Sequence, residues 1–152
     1  MLSRRGFVVG AAGLLLLGAR RPGVMVPVPT PITIYKSRTC GCCVKWVDHL
    51  SANGFDTKVH DEEEMDQLKD EMGVPVPVRS CHTAVLGAYL IEGHVPASDI
   101  RRLLAERPKV AGLAVPGMPT GTPGMAEPGT KEGGYDVVTF QSDGSTGHFA
   151  RH

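Results

Sequence analysis

Between residues 32 and 108 the apolar positions alternate between the two-residue rhythm of a strand and the three-to-four-residue rhythm of a helix. Ile32-Thr33-Ile34-Tyr35 is a β-branched and aromatic run ending at Lys36, which predicts a buried strand. Val44, Val47 and Leu50 stand three apart and Asn53-Gly54 follows, so residues 44–52 are expected to form a helix that stops there. Phe55 to His60 predicts a second strand, and Glu62 to Met72 sets Met65, Leu68 and Met72 on one helical face before Gly73. Thr83 to Leu86 and Tyr89 to Ile91 read as two strands joined through Gly87-Ala88. Pro96-Ala97-Ser98-Asp99 opens a helix carrying Ile100, Leu103 and Leu104, which Pro108 closes. Strand, helix, strand, helix, hairpin, helix implies a βαβ unit completed by a hairpin: an α/β chain with a mixed sheet flanked by helices.

The two ends of the chain follow other patterns. Residues 116–134 hold six Gly and four Pro, which excludes a helix and predicts an irregular Pro/Gly/Met loop. Residues 135–152 read as a C-terminal β-hairpin turning at Asp143-Gly144. At the other end, Arg4-Arg5 precedes an apolar run from Val9 to Leu17, far short of the roughly 20 residues that span a bilayer. A basic start, a short apolar middle and a small residue near Ala19 make residues 1–21 an expected export signal, and the paired arginines favour the Tat machinery. Left uncleaved, the same stretch would act as a membrane anchor. Residues 22–31, with Pro27, Pro29 and Pro31, read as a linker to the body at 32–115.

Composition sharpens this division. The 152 residues carry 16 Lys+Arg and 16 Asp+Glu, but Arg4, Arg5, Arg20 and Arg21 all fall in the acid-free first 21 residues. The remainder has 12 basic and 16 acidic residues, a net charge of about −4, which argues against a nucleic-acid partner. Chain length and a 41% hydrophobic content suit one modest domain.

The candidate chemistry lies in four cysteines, three of them crowded into Cys40-Gly41-Cys42-Cys43 and the fourth at Cys81. The triplet falls between a strand and a helix, where free backbone N–H groups and the helix dipole stabilise thiolates. Cys40 and Cys43 form a C-x-x-C pair in the place that thioredoxin-like folds use, so a thiol-disulfide oxidoreductase is one reading. Cys42 puts a third thiol inside that frame, which invites wrong disulfides but serves a metal, since soft thiolates select Cu(I), zinc or iron–sulfur clusters. Iron–sulfur spacings are absent. A structural zinc module would have to close the adjacent Cys42-Cys43 pair on one tetrahedral ion, a strained arrangement. Thiolates this crowded more naturally bridge several Cu(I) ions, so copper is expected ahead of zinc.

In a thioredoxin-like topology the loop before the third strand lies against the strand–helix junction, which would bring Cys81 and His82 to the triplet. His82 and His94 are candidate ligands or supports of ligands. Met118 and Met125, in the repeated Pro-Gly-Met theme, are candidate thioether donors. Trp46 is expected to pack near the cysteines and shield them. An exported protein meets an oxidising compartment, where exposed thiols are paired, metal-bound or maintained by a partner.

Taken together, Cys40-Gly41-Cys42-Cys43-Val44-Lys45-Trp46, Ser80-Cys81-His82-Thr83, Glu92-Gly93-His94-Val95-Pro96 and the Pro116 to Met125 segment resemble the CopG-type periplasmic copper-resistance proteins, a thioredoxin-like family. The resemblance covers about residues 31–126. It implies a cysteine-bridged copper cluster on Cys40, Cys42, Cys43 and Cys81, and copper resistance or Cu(I)/Cu(II) redox handling in the envelope. His82, His94, Met118 and Met125 also match family motifs. The expected partners are copper ions and an envelope redox or copper-transfer protein, and copper oxidoreductase activity is one way such a cluster would work.

Overall fold

The computed structural model describes residues 29–126 and 133–152. Strand β1 (Thr30–Lys36) leads into helix α1 (Gly41–Ala52), and β2 (Phe55–Asp61) returns parallel to β1 with Ile34 opposite Val59. Parallel neighbours need a crossover, and α1 supplies it. Helix α2 (Met65–Glu71) and a single 3-10 turn at Val76–Val78 lead to β3 (His82–Leu86), antiparallel to β1. Strand β4 (Tyr89–Glu92) closes a hairpin with β3, Thr83 standing opposite Glu92. Helix α3 (Ala97–Glu106) crosses to β5 (Gly112–Ala114), parallel to β4, and β6 (Asp136–Phe140) and β7 (Thr146–Arg151) end the chain as an antiparallel hairpin. The result is one mixed sheet in the order β2-β1-β3-β4-β5-β6-β7, with three α-helices among the described residues. The α/β class, the mixed sheet and the terminal hairpin are as the sequence predicts.

The differences have local causes. Helix α1 begins at Gly41, three residues earlier than the apolar spacing suggests, and its buried side chains are Cys43, Trp46 and Leu50. Spacings of three and four keep those on one face, whereas Val44, turned by about 100° from Cys43, is 46% exposed. Helix α2 is shorter than predicted, and its buried residue is the charged Lys69, with Met65, Leu68 and Met72 only half-buried. Strand β1 starts at Thr30, inside the stretch read as a linker. The expected export signal at 1–21 and the rest of that linker lie outside the described residues. No helix among the described residues is long and apolar enough to cross a membrane.

The main core joins Ile32 and Ile34 of β1 to Trp46 and Leu50 of α1, Ile91 of β4, Ile100 and Leu103 of α3 and Leu113 of β5. The sequence pattern missed β5, a three-residue strand with a glycine, too short for any periodicity to register. Gly112 is there because its neighbour leaves no room: a Cβ would lie 1.9 Å from the carbonyl oxygen of Leu90, its partner on β4. The Pro/Gly segment does not trail away as a tail. Among its described residues, Gly133 N–H donates to Gly121 O at 3.0 Å.

Gly112→Ala is expected to destabilise the protein by about 1–3 kcal/mol through overpacking, read as a lower urea midpoint by circular dichroism. An unchanged midpoint would mean that β5 does not pair closely with β4.

Candidate metal centre

Cys40 is the N-cap of α1, in extended backbone conformation, and Cys42 and Cys43 lie in the first turn. That turn holds no acidic residue, so its free N–H groups and positive dipole end face the thiols unopposed. Cys40 and Cys43 are joined in a disulfide with their Cα atoms 5.4 Å apart. Cys42 is a free thiol, its Sγ 3.4 Å from Cys40 Sγ. Cys81, also free, comes from the loop before β3, and Cys43 Sγ lies 3.9 Å from its carbonyl oxygen. All four sulfurs fall within 4.8 Å of one another.

A second set overlaps the first: Cys43, Cys81, His82 and His94 also bring their donor atoms within 4.8 Å of one another. His94 Nδ1 is 2.7 Å from the Pro123 carbonyl oxygen. A carbonyl only accepts, so Nδ1 carries the proton and Nε2 turns a lone pair to Cys81 Sγ at 3.1 Å. Fixing one ring nitrogen on a carbonyl to free the other is how proteins orient metal-binding histidines. His82 Nδ1 faces Cys81 Sγ at 3.4 Å, while its Nε2 is buried without a hydrogen-bond partner among the described residues. Trp46 covers the His82 ring at a centroid distance of 4.2 Å, pinned by an indole N–H donated to Val95 O at 2.9 Å.

Burial governs the protonation of these groups. It holds the His82 imidazole well below its ordinary 6.5, with His94 and Lys69 pushing the same way, and it lowers His94 too. Both rings are therefore neutral at pH 7, the state a metal requires. The Cys81 thiol is pushed up to about 12, first by burial and then by Cys42 beside it. In the metal-free protein Cys81 keeps its proton, which a metal bound there would have to displace.

The Pro/Gly segment straps this cluster. Ser80 Oγ–H donates to Gly117 O, His94 holds Pro123 O, and Gly124 rests on the first turn of α1. Gly124 has φ +86°, and a Cβ there would lie 2.8 Å from Trp46 N and 3.0 Å from Cys42 O. Met118 is 54% exposed and Met125 is half-buried. These contacts seat the strap through backbone atoms rather than through either thioether.

The donors fit a soft metal. Four sulfurs suit Cu(I), and the overlapping two-sulfur, two-imidazole set suits copper or zinc. The disulfide withdraws Cys40 and Cys43 from ligation. Two electrons and two protons return them to thiols and make all four sulfurs available. Two residues of the site escaped sequence reasoning: Glu92 and Lys69, a buried ion pair behind Cys81 with Nζ and Oε1 2.5 Å apart. The one available sign was an acid directly before Gly93-His94, at the end of an apolar strand.

Two solved structures, described as copper resistance protein CopG, form 1 and form 2, are similar to this chain. Each is 42% identical, covers 82% of this chain and 98% of its own, and superposes with a TM-score of 0.75. The family model described as "Protein of unknown function, DUF411" matches residues 78–125, which contain Cys81, His82, His94 and the strap. Among curated protein sequences none matches significantly.

The neutral histidines set the acid sensitivity of the metal-free protein. Their folded pKa values lie below the unfolded value of 6.5, so their contribution to stability is intact above that pH. As pH falls below it, the unfolded chain binds protons that the native state refuses. Stability should drop by about 1.4 kcal/mol per pH unit for each imidazole that stays neutral. Urea midpoints between pH 7.5 and 5 should show this slope, and His82→Phe should remove one proton's share of it. Equal slopes in the two proteins would show that His82 is not held neutral.

Proposed function

Because the chain belongs to the family of the copper resistance protein CopG, we propose that it is an exported copper-binding protein holding a cysteine-bridged copper cluster on Cys40, Cys42, Cys43 and Cys81. The observation that carries this reading is the convergence of four sulfurs within 4.8 Å at a helix N-terminus. So dense a set of soft donors fits several Cu(I) ions better than one harder ion. His82 and His94 add neutral nitrogen donors at the buried end, and Met118 and Met125 offer thioethers from the strap.

Copper enters as the ion being handled, and when bound it supplies a one-electron Cu(I)/Cu(II) couple. The chain's own residues prepare for it. The N-terminus of α1 gathers Cys40, Cys42 and Cys43, His94 presents a lone pair, and Trp46 over His82 keeps water from the inner face. Resistance then follows from sequestration, with electrons exchanged one at a time with an envelope redox or copper-transfer partner. Export is supported by the basic, apolar leader with Arg4-Arg5, which fits the Tat route, and by a disulfide suited to an oxidising compartment. The β2-β1-β3-β4 order, with α1 directly after β1, supports reading the body as thioredoxin-like.

The Cys40–Cys43 disulfide favours one alternative, a thiol-disulfide oxidoreductase, in which Cys42 and Cys81 are dispensable. The Cys43, Cys81, His82 and His94 set would serve a zinc module, which metal analysis of native protein separates from both.

Reduced, metal-free protein titrated anaerobically with Cu(I) should bind more than one ion per chain, and Cys42→Ser should lower that number. Less than one ion per chain, or an unchanged number in C42S, overturns the cluster. Disulfide turnover without metal and indifferent to C42S and C81S would establish the oxidoreductase instead.

A further inference from the structure

Lys69, on α2, is 2% exposed, and Glu92, the last residue of β4, is fully buried. Both carboxylate oxygens of Glu92 are engaged. Oε1 accepts from Lys69 Nζ at 2.5 Å and from the Ser80 backbone N–H at 2.6 Å, and Oε2 accepts from the Thr83 hydroxyl at 2.6 Å. Lys69 Nζ also donates to Thr83 Oγ1 at 2.8 Å, closing a triangle. A buried ion pair is poor value for stability, because apolar side chains of similar volume commonly hold a fold as well or better. Its connections suggest what it does.

Ser80 and Thr83 are the residues on either side of Cys81-His82, and both are tied to the same carboxylate. Two residues after Glu92 stands His94, whose Nε2 meets Cys81 Sγ at 3.1 Å. Between them Gly93 N–H donates to His82 O at 3.1 Å, and a Cβ on Gly93 would lie 2.7 Å from Ser80 Oγ. One carboxylate thus fixes both ends of the segment bearing Cys81 and His82, and the start of the segment bearing His94. Lys69 neutralises that carboxylate in the interior and roots it to α2.

We propose that Glu92, with Lys69 and Thr83, is a positioning device that holds Cys81 in register with His94 and the α1 thiols for copper binding. The proposal rests on the copper-binding reading above. The device acts through hydrogen bonds to Ser80 and Thr83 rather than through net charge. A neutral amide that keeps those bonds should therefore preserve it, and an apolar replacement should not.

Two variants separate these cases: K69M/E92Q, in which the amide can accept from Ser80 N–H and donate to Thr83 Oγ1, and K69M/T83V/E92L, in which the network is gone. Each is measured as reduced full-length protein for thermal melting, for Cu(I) affinity against a chromophoric chelator, and, without copper, for the rate of Cys81 alkylation by iodoacetamide. The apolar triple variant should melt near wild type, lose about 10- to 100-fold in Cu(I) affinity and alkylate Cys81 several-fold faster. K69M/E92Q should match wild type in both. Added to C81S, the triple substitution should change Cu(I) affinity less than twofold, since coupling through Cys81 is already lost. Wild-type affinity and alkylation in the folded triple variant overturn the proposal, as does an equal affinity loss in the C81S background. If the triple variant does not fold, Ser80→Pro removes the single N–H donor, with Ser80→Ala as control for the Gly117 contact. S80P must then reproduce both changes relative to S80A, and equality of the two overturns the proposal. Should wild type bind less than one Cu(I) per chain, the copper reading fails, and the alkylation rates alone decide whether the network positions Cys81.

Discussion

The site depends on the antiparallel pairing of β1 with β3, in which Lys36 stands opposite His82. The end of β1 and the beginning of β3 therefore share one edge of the sheet. Cys40 follows Lys36 by four residues and Cys81 precedes His82 by one, so this register alone puts the helix N-terminus and the Cys81 loop side by side. The parallel β1–β2 pair enforces the other half of the geometry, because its crossover must start with α1 at that same edge. A one-residue slip would turn His82 and its neighbours to the opposite face of the sheet.

Two electrostatic environments meet at this edge. Cys40, Cys42 and Cys43 stand at the positive end of a helix, while Cys81 and the two histidines sit in buried surroundings, which favour their neutral forms. The metal-free site is consequently uncharged on its inner side, where Cys81, His82 and His94 meet. A soft cation reconciles the two, since it binds thiolate strongly and needs only a neutral ring from histidine. The disulfide describes the same sulfurs in another redox state, so a metal bound on Cys40 and Cys43 would compete with thiol oxidation for them.

The strap shows how an irregular segment becomes part of a site. Its described residues form neither helix nor strand, yet Gly117, Pro123 and Gly124 each meet a named partner at the cluster. Gly124 is required by its left-handed backbone and by its contact with α1, where a side chain would hold the two apart. Strands β5 to β7, before and after the strap, extend the sheet on the side away from β2, and Phe140 packs there with Val74 and Val78 in a second, smaller core.

Much of this molecule was legible in its sequence, because the controlling patterns are local. Periodicity distinguished strands from helices, Asn53-Gly54 and Pro108 marked helix ends, and the Cys40 triplet announced soft-metal or thiol chemistry at a strand–helix junction. What the sequence left open was decided by long-range pairing. Lys69 lies at helical spacing from Met65 and Met72, but its burial as a charged residue has no visible reason until β4 places a carboxylate beneath it. The three residues of β5 carry no period of their own and become a strand only because β4 and β6 offer edges on both sides. His94 is one histidine among 6 until Pro123, 29 residues later, fixes its tautomer. Residue types and their spacing thus determined the elements and the class of chemistry. Which side chains share one cluster, and in which protonation state, required the folded sheet, since burial and hydrogen-bond geometry between distant segments exist only there.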